Sequence, residues 1–260
     1  MKLKFIGVGA AFAASEYYHS NMLITAENGK RILIDCGCDA RFSLYEAGVD
    51  LANLPNEIDA VYISHLHSDH IGGMEWLAFN TFFHSNPRKP KLYMEQNMMA
   101  EMWEDSLKAG LRHIGGDDMS LSDYFTCHPL ADNGGFTWEG ISFTLVKMPH
   151  IVASESTVFS YGLIIKGTSK KARPVFISTD TKFQPETVIA MAKNVDLIFH
   201  DCETSVIRTS VHAHYQELIS LPADVKKKMW LYHYQPGMDK DVTADGFLGL
   251  VKKGQEYDVI

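Results

Sequence analysis

Apolar residues in this chain fall into short runs rather than long helical stripes, and many of the runs end in a polar or acidic residue. Runs of roughly four to eight apolar residues bounded by Gly, Asn, Asp or Pro read as strands. Strands are therefore predicted over residues 3–8, 21–26, 31–35, 59–64, 91–94, 141–148, 158–166, 175–178, 196–199 and 229–232. Glu27-Asn28-Gly29-Lys30 predicts a hairpin between the second and third of these, because Asn-Gly accepts positive φ. Helical signals separate the others. Asp39 is placed to cap a helix running to Ala47 and closed by Gly48, Met74 to Phe83 forms another, and Gln96 to Ala109 a third. Met98, Met99, Met102 and Trp103 recur at helical spacing, which places them in the core rather than on a ligand-binding surface. Gln184-Pro185-Glu186 starts a helix with Pro at its favoured first position, Tyr215 to Leu221 is a short one, and a final helix is expected from about Ala244 to Lys253.

Residues 110–135 are the least regular, with Gly115-Gly116-Asp117-Asp118 and the pair Tyr124-Phe125, and read as a connecting loop with a composition also suited to a lid or subunit contact. The basic turn from Gly167 to Arg173 reads as a hairpin tip. Strands and helices come in two batches, each opening with several strands, and no linker divides them. That order predicts a single α/β domain over residues 1–260, a four-layer αββα sandwich with two sheets packed together and helices outside.

At 260 residues, 46% hydrophobic and 11% aromatic, the chain can bury a sizeable core. Its 24 basic and 32 acidic residues give a formal charge of −8, which argues against a general nucleic-acid surface and leaves any anionic substrate to local positive charge. The apolar run at Met1-Lys2-Leu3-Lys4-Phe5-Ile6 is too short for a signal peptide, and no run approaches a membrane span, so a cytoplasmic location is expected. In a phage-encoded chain that would be the host cytoplasm. Cys36, Cys38, Cys127 and Cys202 are scattered, and Cys36-Gly37-Cys38 is spaced too tightly for the usual zinc or redox pairs, so reduced structural thiols are expected.

Against this background the stretch Ser64-His65-Leu66-His67-Ser68-Asp69-His70-Ile71-Gly72-Gly73 stands out, because it places three histidines and a carboxylate on one strand-to-helix turn. Imidazole nitrogen and carboxylate oxygen suit zinc, manganese or iron. Three later positions, each near the end of a predicted strand, supply the same donor types: His150, Asp180 and His233. A first ion could take His65, His67 and His150, and a second Asp69, His70 and His233, with Asp180 bridging both. Two divalent ions held this way, zinc or manganese, would lower the pKa of a shared water from about 15.7 toward roughly 7. His200 reads as an anchor between loops, and His19, His84, His113 and His128 as surface or structural.

The pattern His-x-His-x-Asp-His after a strand, followed in order by a lone His, an Asp and a lone His, resembles the metallo-β-lactamase superfamily over nearly the whole chain. Phe5-Ile6-Gly7-Val8-Gly9, Leu33-Ile34-Asp35-Cys36-Gly37 and His200-Asp201-Cys202-Glu203 are similar to the branch of transfer-RNA 3′-processing endonucleases and related phosphodiesterases. The resemblance implies the metallo-β-lactamase sandwich, a catalytic role for Asp69, and an acid, Asp201, supporting a histidine that protonates the leaving oxygen. His212 occupies the matching position, and His214, two residues on, could fill the same role.

Those endonucleases carry a long arm that grips transfer RNA between the lone His and the bridging Asp, whereas here 29 residues separate His150 from Asp180 and are nearly filled by two predicted strands and a turn. A small phosphodiester is then the expected substrate, not large RNA. The pattern is similar to phosphodiesterases of cyclic mononucleotides, including the phage and bacterial anti-Pycsar enzymes that degrade cyclic CMP and cyclic UMP signals. That similarity implies opening of 3′,5′-cyclic nucleotides (cCMP, cUMP, cAMP or cGMP) to nucleoside monophosphates and a homodimer, with residues 110–124 reaching a neighbouring site. Ser154, Ser156 and Thr157 are candidate base contacts. An RNA-processing endonuclease, a thioester or lactam hydrolase and, in a different class, a protein that sequesters nucleotides without turnover are the alternatives.

Overall fold

The computed structural model describes residues 1–167, 169 and 173–259; the basic turn expected at 167–173 falls largely outside them. Two seven-stranded mixed sheets form the centre of the molecule. In the first, Arg31–Ile34, Ala60–Tyr62, Lys91–Glu95 and Thr126–Leu130 run parallel, and Met22–Thr25, Lys2–Phe5 and Glu256–Asp258 complete it by antiparallel pairing. In the second, Val175–Ile177, Leu197–Asp201, Met229–Tyr232 and Gly249–Leu250 run parallel beside the long hairpin Ile141–Val152 and Thr157–Lys166, with Gly135–Trp138 antiparallel at its outer edge.

The central strands are apolar on both faces, as a sheet covered on both sides requires. Ile32 and Ile34 face the other sheet, in one core with Phe5, Tyr62, Phe143, Leu163 and Ile177. Leu33 faces outward beside Val61 and Leu92, against Leu44, Leu77 and Met102 of the covering helices Ala40–Glu46, Met74–Phe82 and Gln96–Met102. Phe176, Ile198 and Leu231 do the same on the second sheet, under Val188 of Pro185–Ala192 and Leu218 of Tyr215–Leu218. The layers are αββα, as expected.

Several expectations are corrected. The final helix does not form: residues 242–258 contain a 3-10 turn, Val242–Asp245, and two short strands, Gly249–Leu250 and Glu256–Asp258. Gly246 and Gly249 have positive φ, which breaks a helix over 244–253, and Glu256–Asp258 pairs instead with Lys2–Lys4. The irregular stretch 110–135 holds more than loop: a small hairpin, His113–Ile114 with Asp117–Asp118, then the helix Leu121–Tyr124 and the edge strand Thr126–Leu130. Pro129 hid that strand from its pattern, and an edge is where a sheet tolerates proline. The helix from Gln96 runs on to Leu111 through a π-helical stretch, Trp103–Leu107. Asp39 precedes its helix without capping it; its carboxylate accepts from the His19 backbone N–H at 2.8 Å instead.

Two features aim the chain at one edge of the sandwich. The parallel strands all deliver their carboxyl ends there, the side on which open α/β sheets bind ligands. At the second feature, pairing in the long hairpin slips between Pro149 and Ile151, leaving His150 as the extra residue of a β-bulge. A bulge re-aims a side chain, and the His150 ring leaves the alternation of its strand to join the other histidines.

Gly37 packs against the His-rich turn so closely that a Cβ there would lie 2.2 Å from the Asp69 carbonyl oxygen. Gly37→Ala is expected to cost about 1–3 kcal/mol of stability by overpacking, read as a lower urea midpoint at unchanged slope; an unchanged midpoint would mean the turn yields freely.

Candidate metal centre and active site

Seven side chains from both sheets meet at the strand ends. His65 Nε2 and His150 Nε2 each lie 3.1 Å from His67 Nδ1, and Asp180 Oδ2 is 3.7 and 3.8 Å from the first two. Beside them, His70 Nε2 is 3.4 Å from both Asp69 Oδ2 and Asp180 Oδ2, and His233 Nε2 is 3.2 Å from Asp180 Oδ2 and 3.9 Å from Asp69 Oδ2. Two groups of four donors thus share one carboxylate oxygen, Asp180 Oδ2. A tetrahedron with bonds of about 2.0–2.1 Å has edges of about 3.3 Å, and these separations scatter around that length.

The hydrogen bonds behind the rings fix which nitrogen points inward. Ser64 Oγ donates its proton to Asp35 Oδ2, and Ser20 Oγ donates its proton to the Gly9 carbonyl. Each hydroxyl oxygen is left to accept, Ser64 from His65 Nδ1 and Ser20 from His233 Nδ1, both at 3.0 Å. His70 Nδ1 donates to Asp35 Oδ2 at 2.8 Å and His150 Nδ1 to the Val211 carbonyl at 2.9 Å. All four rings therefore present an Nε2 lone pair to the cluster, the arrangement that orients histidine ligands in metal sites.

Metal fits this set better than hydrogen bonding does. His70 Nε2, His233 Nε2 and Asp180 Oδ1 are buried and have no hydrogen-bond partner. An orphaned buried polar atom costs about 1–3 kcal/mol, and three in one cluster call for cations. Burial drives the His65 ring toward neutrality and lowers His150 to about 4, so both are bases ready to bind metal. At His70 burial also opposes charge, but the carboxylates of Asp180, Asp69 and Asp35 outweigh it and favour the protonated ring. The field that would hold that proton is the field that draws a dication in its place.

Backbone strain gathers at the same edge. Asp35, Thr179 and His233 adopt left-handed φ values of 60, 53 and 62°. Each costs about 1–3 kcal/mol in a non-glycine residue, and each lies at the cluster: Asp35 behind His70, Thr179 before Asp180, and His233 itself.

Beside the cluster, His212 Nδ1 donates to Asp201 Oδ2 at 2.8 Å and lies 3.9 Å from Asp180 Oδ2. Burial disfavours the charged ring, yet the Asp201 carboxylate more than offsets this and pushes its pKa up to about 10. His214 is not brought in. It caps the helix Tyr215–Leu218, its Nδ1 accepting from the Gln216 backbone N–H at 3.2 Å, and its Nε2 faces the Ser205 carbonyl at 3.1 Å. His200 is fully buried with Nδ1 on the Asp201 carbonyl, a structural place as expected. Ser154 and Ser156 lie exposed on the hairpin turn beyond His150, and Thr157 is half-buried there.

A family model described as "Anti-Pycsar protein Apyc1" matches residues 1–257. The chain belongs to this family. A relative of the same description from Bacillus phage vB_BveM-Goe7 is 32% identical over 264 residues, covering 98% of this chain and 97% of the relative. Another, from Paenibacillus harenae, is 32% identical over 262 residues and covers 100% of both chains. Among solved structures, the metallo-beta-lactamase fold protein YhfI from Bacillus subtilis superposes with a TM-score of 0.73 at 18% identity, over 98% of each chain. The short form of human tRNase Z gives 0.70 at 16% identity, over 100% of each. The fold is thus the metallo-β-lactamase sandwich.

Asp35 and Ser20 were not singled out in the sequence as site residues. Asp35 left two signals, an acid closing an apolar strand and a place in the family-like segment Leu33-Ile34-Asp35-Cys36-Gly37; Ser20 left none. Asp35→Asn puts an amide donor where Ser64 N–H, Ser64 Oγ and His70 Nδ1 now converge. Metal affinity is expected to fall roughly 10–100-fold, measured by competition with a chromogenic chelator; equal affinity would remove Asp35 from the site.

Proposed function

We propose that this chain opens 3′,5′-cyclic nucleotides to nucleoside 5′-monophosphates, using two divalent ions, zinc or manganese. That it is a metal-dependent hydrolase follows from its family and from the His and Asp cluster. The cyclic nucleotide substrate is our reading. It is carried by the pairing of a two-seat donor cluster with a histidine held by its own carboxylate, the His212 and Asp201 pair. Carbonyl substrates such as thioesters need no separate imidazole acid, whereas a departing alkoxide does. His150 and Asp180 are joined by the hairpin and one further strand with no RNA-gripping arm, and the chain is acidic, which favours a small phosphodiester.

His65, His67 and His150 would hold one ion and Asp69, His70 and His233 the other, with Asp180 between. When bound, the ions neutralise the phosphate and acidify water. Asp69 takes the proton that water gives up as its oxygen bonds to phosphorus. The P–O3′ bond breaks with its electron pair on O3′, and O3′ takes a proton from His212. Because Nδ1 of His212 is held by Asp201, Nε2 is the nitrogen left to donate. A homodimer belongs to the same reading, with the exposed hairpin at residues 113–118 leaning over the partner's site.

Purified protein given zinc or manganese is expected to convert cAMP, cGMP, cCMP or cUMP to the monophosphate, read by chromatography, and a chelator to abolish it; a panel left wholly intact would end the proposal. His212→Ala should lower kcat by roughly 10²–10⁴ with metal content unchanged. His214→Ala should cost about 1 kcal/mol of stability through its lost cap and leave kcat near that of the native enzyme. Reversed effects in the two variants would exchange the roles.

A further inference from the structure

A cleft of about 230 Å³ is lined by Cys38, by Arg41 of the helix Ala40–Glu46, by Gly72 and Gly73, and by Trp76 of the helix Met74–Phe82. None of the seven donors of the metal-type cluster lines it. Cys36 and Cys202 are buried and Cys127 is half-buried, so Cys38 is the one exposed thiol of the four.

Two groups that the cluster does not use stand beside that thiol. The buried His19 ring places Nδ1 3.6 Å from Cys38 Sγ. Its Nε2 lies 3.1 Å from the Ala11 carbonyl, which can only accept, so the ring carries its proton on Nε2 and offers the Nδ1 lone pair to the thiol. Asp39 completes the set. Its Oδ2 accepts from the His19 backbone N–H at 2.8 Å, while Oδ1, buried and without a hydrogen-bond partner, lies 3.4 Å from His19 Nδ1. That oxygen has nothing to accept while the ring is neutral, and it meets a charged N–H once His19 has taken the thiol proton. Burial, reinforced by the Asp39 charge, pushes the Cys38 thiol up. The thiolate is the form that attacks, so at this sulfur a neighbouring base decides whether anything reacts.

The walls of the cleft select the electrophile. Arg41 is exposed, its guanidinium lies 4.6 Å from the Phe42 ring centroid, and it forms no ion pair among the described residues. A guanidinium fork left open in this way matches a carboxylate, and the half-buried Trp76 adds an aromatic wall. The cleft is smaller than the roughly 300–1,000 Å³ of pockets that take drug-sized ligands, so it accommodates one half of a small disulfide.

We propose that Cys38 is a modification site, activated by His19 and positioned by Asp39, that forms a mixed disulfide with low-molecular-weight disulfides bearing carboxylates. The Cys38 proton passes to His19 Nδ1, and the Sγ electron pair bonds to one sulfur of the incoming disulfide. The old S–S bond breaks with its pair on the departing sulfur, which takes the proton from His19. Cys38 is oxidised and the departing thiol is the reduced product.

The test uses the full chain with its metal and two probes, the dianionic 5,5′-dithiobis(2-nitrobenzoate) and the neutral 2,2′-dithiodipyridine, with thiol release followed by absorbance. One fast equivalent is expected, absent in Cys38→Ser, ahead of a slower phase from Cys127. His19→Gln should slow the fast phase roughly tenfold or more with either probe and leave the Cys127 phase in place, which separates loss of the base from misfolding. Asp39→Asn keeps an oxygen for the His19 N–H and should slow the fast phase in the same way. Arg41→Gln should slow the anionic probe roughly three- to tenfold and spare the neutral one. With glutathione disulfide, the adduct should map to Cys38 by mass spectrometry of peptides. A native protein with no thiol faster than Cys127, a fast phase that survives Cys38→Ser, or rates unmoved in both His19→Gln and Asp39→Asn would overturn the activated site. Equal slowing of both probes by Arg41→Gln would overturn the carboxylate preference.

Discussion

Buried lone pairs with nothing to accept are the constraint on which this molecule is built. Four imidazoles turn Nε2 toward one another because the proton on each Nδ1 is already given to Ser64, Asp35, Val211 or Ser20. Two carboxylates, Asp69 and Asp180, share the space. Packed in this way without cations, the donors repel and lose hydration that no neighbour replaces. With cations the same geometry becomes complementary, so metal uptake contributes directly to folding free energy at this edge. The left-handed backbone at Asp35, Thr179 and His233 persists under the same logic, since strain of about 1–3 kcal/mol per residue survives only where the surroundings over-determine it.

What delivers the donors is less the individual loops than the two sheets. His65, Asp180 and His233 each follow within three positions a strand of a parallel set whose carboxyl ends share one edge, so rigid elements bring them to it. Asp35 and Asp201 arrive in the same way and hold the rings rather than joining the cluster of seven. The antiparallel hairpin is the exception, and it needs the bulge to do what the others do by topology.

This division explains what could be read from the chain alone. The turn from His65 to His70 is local, and its spacing is visible without any fold. His150, Asp180 and His233 were found because each stands beside an apolar run, although the bulge that aims His150 left no trace. Ser20 could not be found at all: its role depends on Gly9 lying close enough to take its proton, a contact no periodicity encodes. Edge elements were the poorest reading. Thr126–Leu130 was masked by Pro129, and residues 244–253 mimic a helix in composition while two positive-φ glycines, Gly246 and Gly249, forbid one. Strands covered on both sides declare themselves by hydrophobicity; edge strands are fixed by a partner that lies far away in sequence.

His212 and His214 show how little residue type decides by itself. The two differ by two positions and share one loop, yet the first ring meets a buried carboxylate and the second a helix end. Asp201 separates them. Its Oδ2 lies where one ring can donate to it and where the Thr181 N–H reaches it from the other side. A carboxylate so placed keeps the proton on Nδ1 and couples that ring to the loop that starts at Thr181. The place of the His212 ring and that of the loop after Asp180 then depend on one buried side chain, a dependence that residue type and spacing do not reveal.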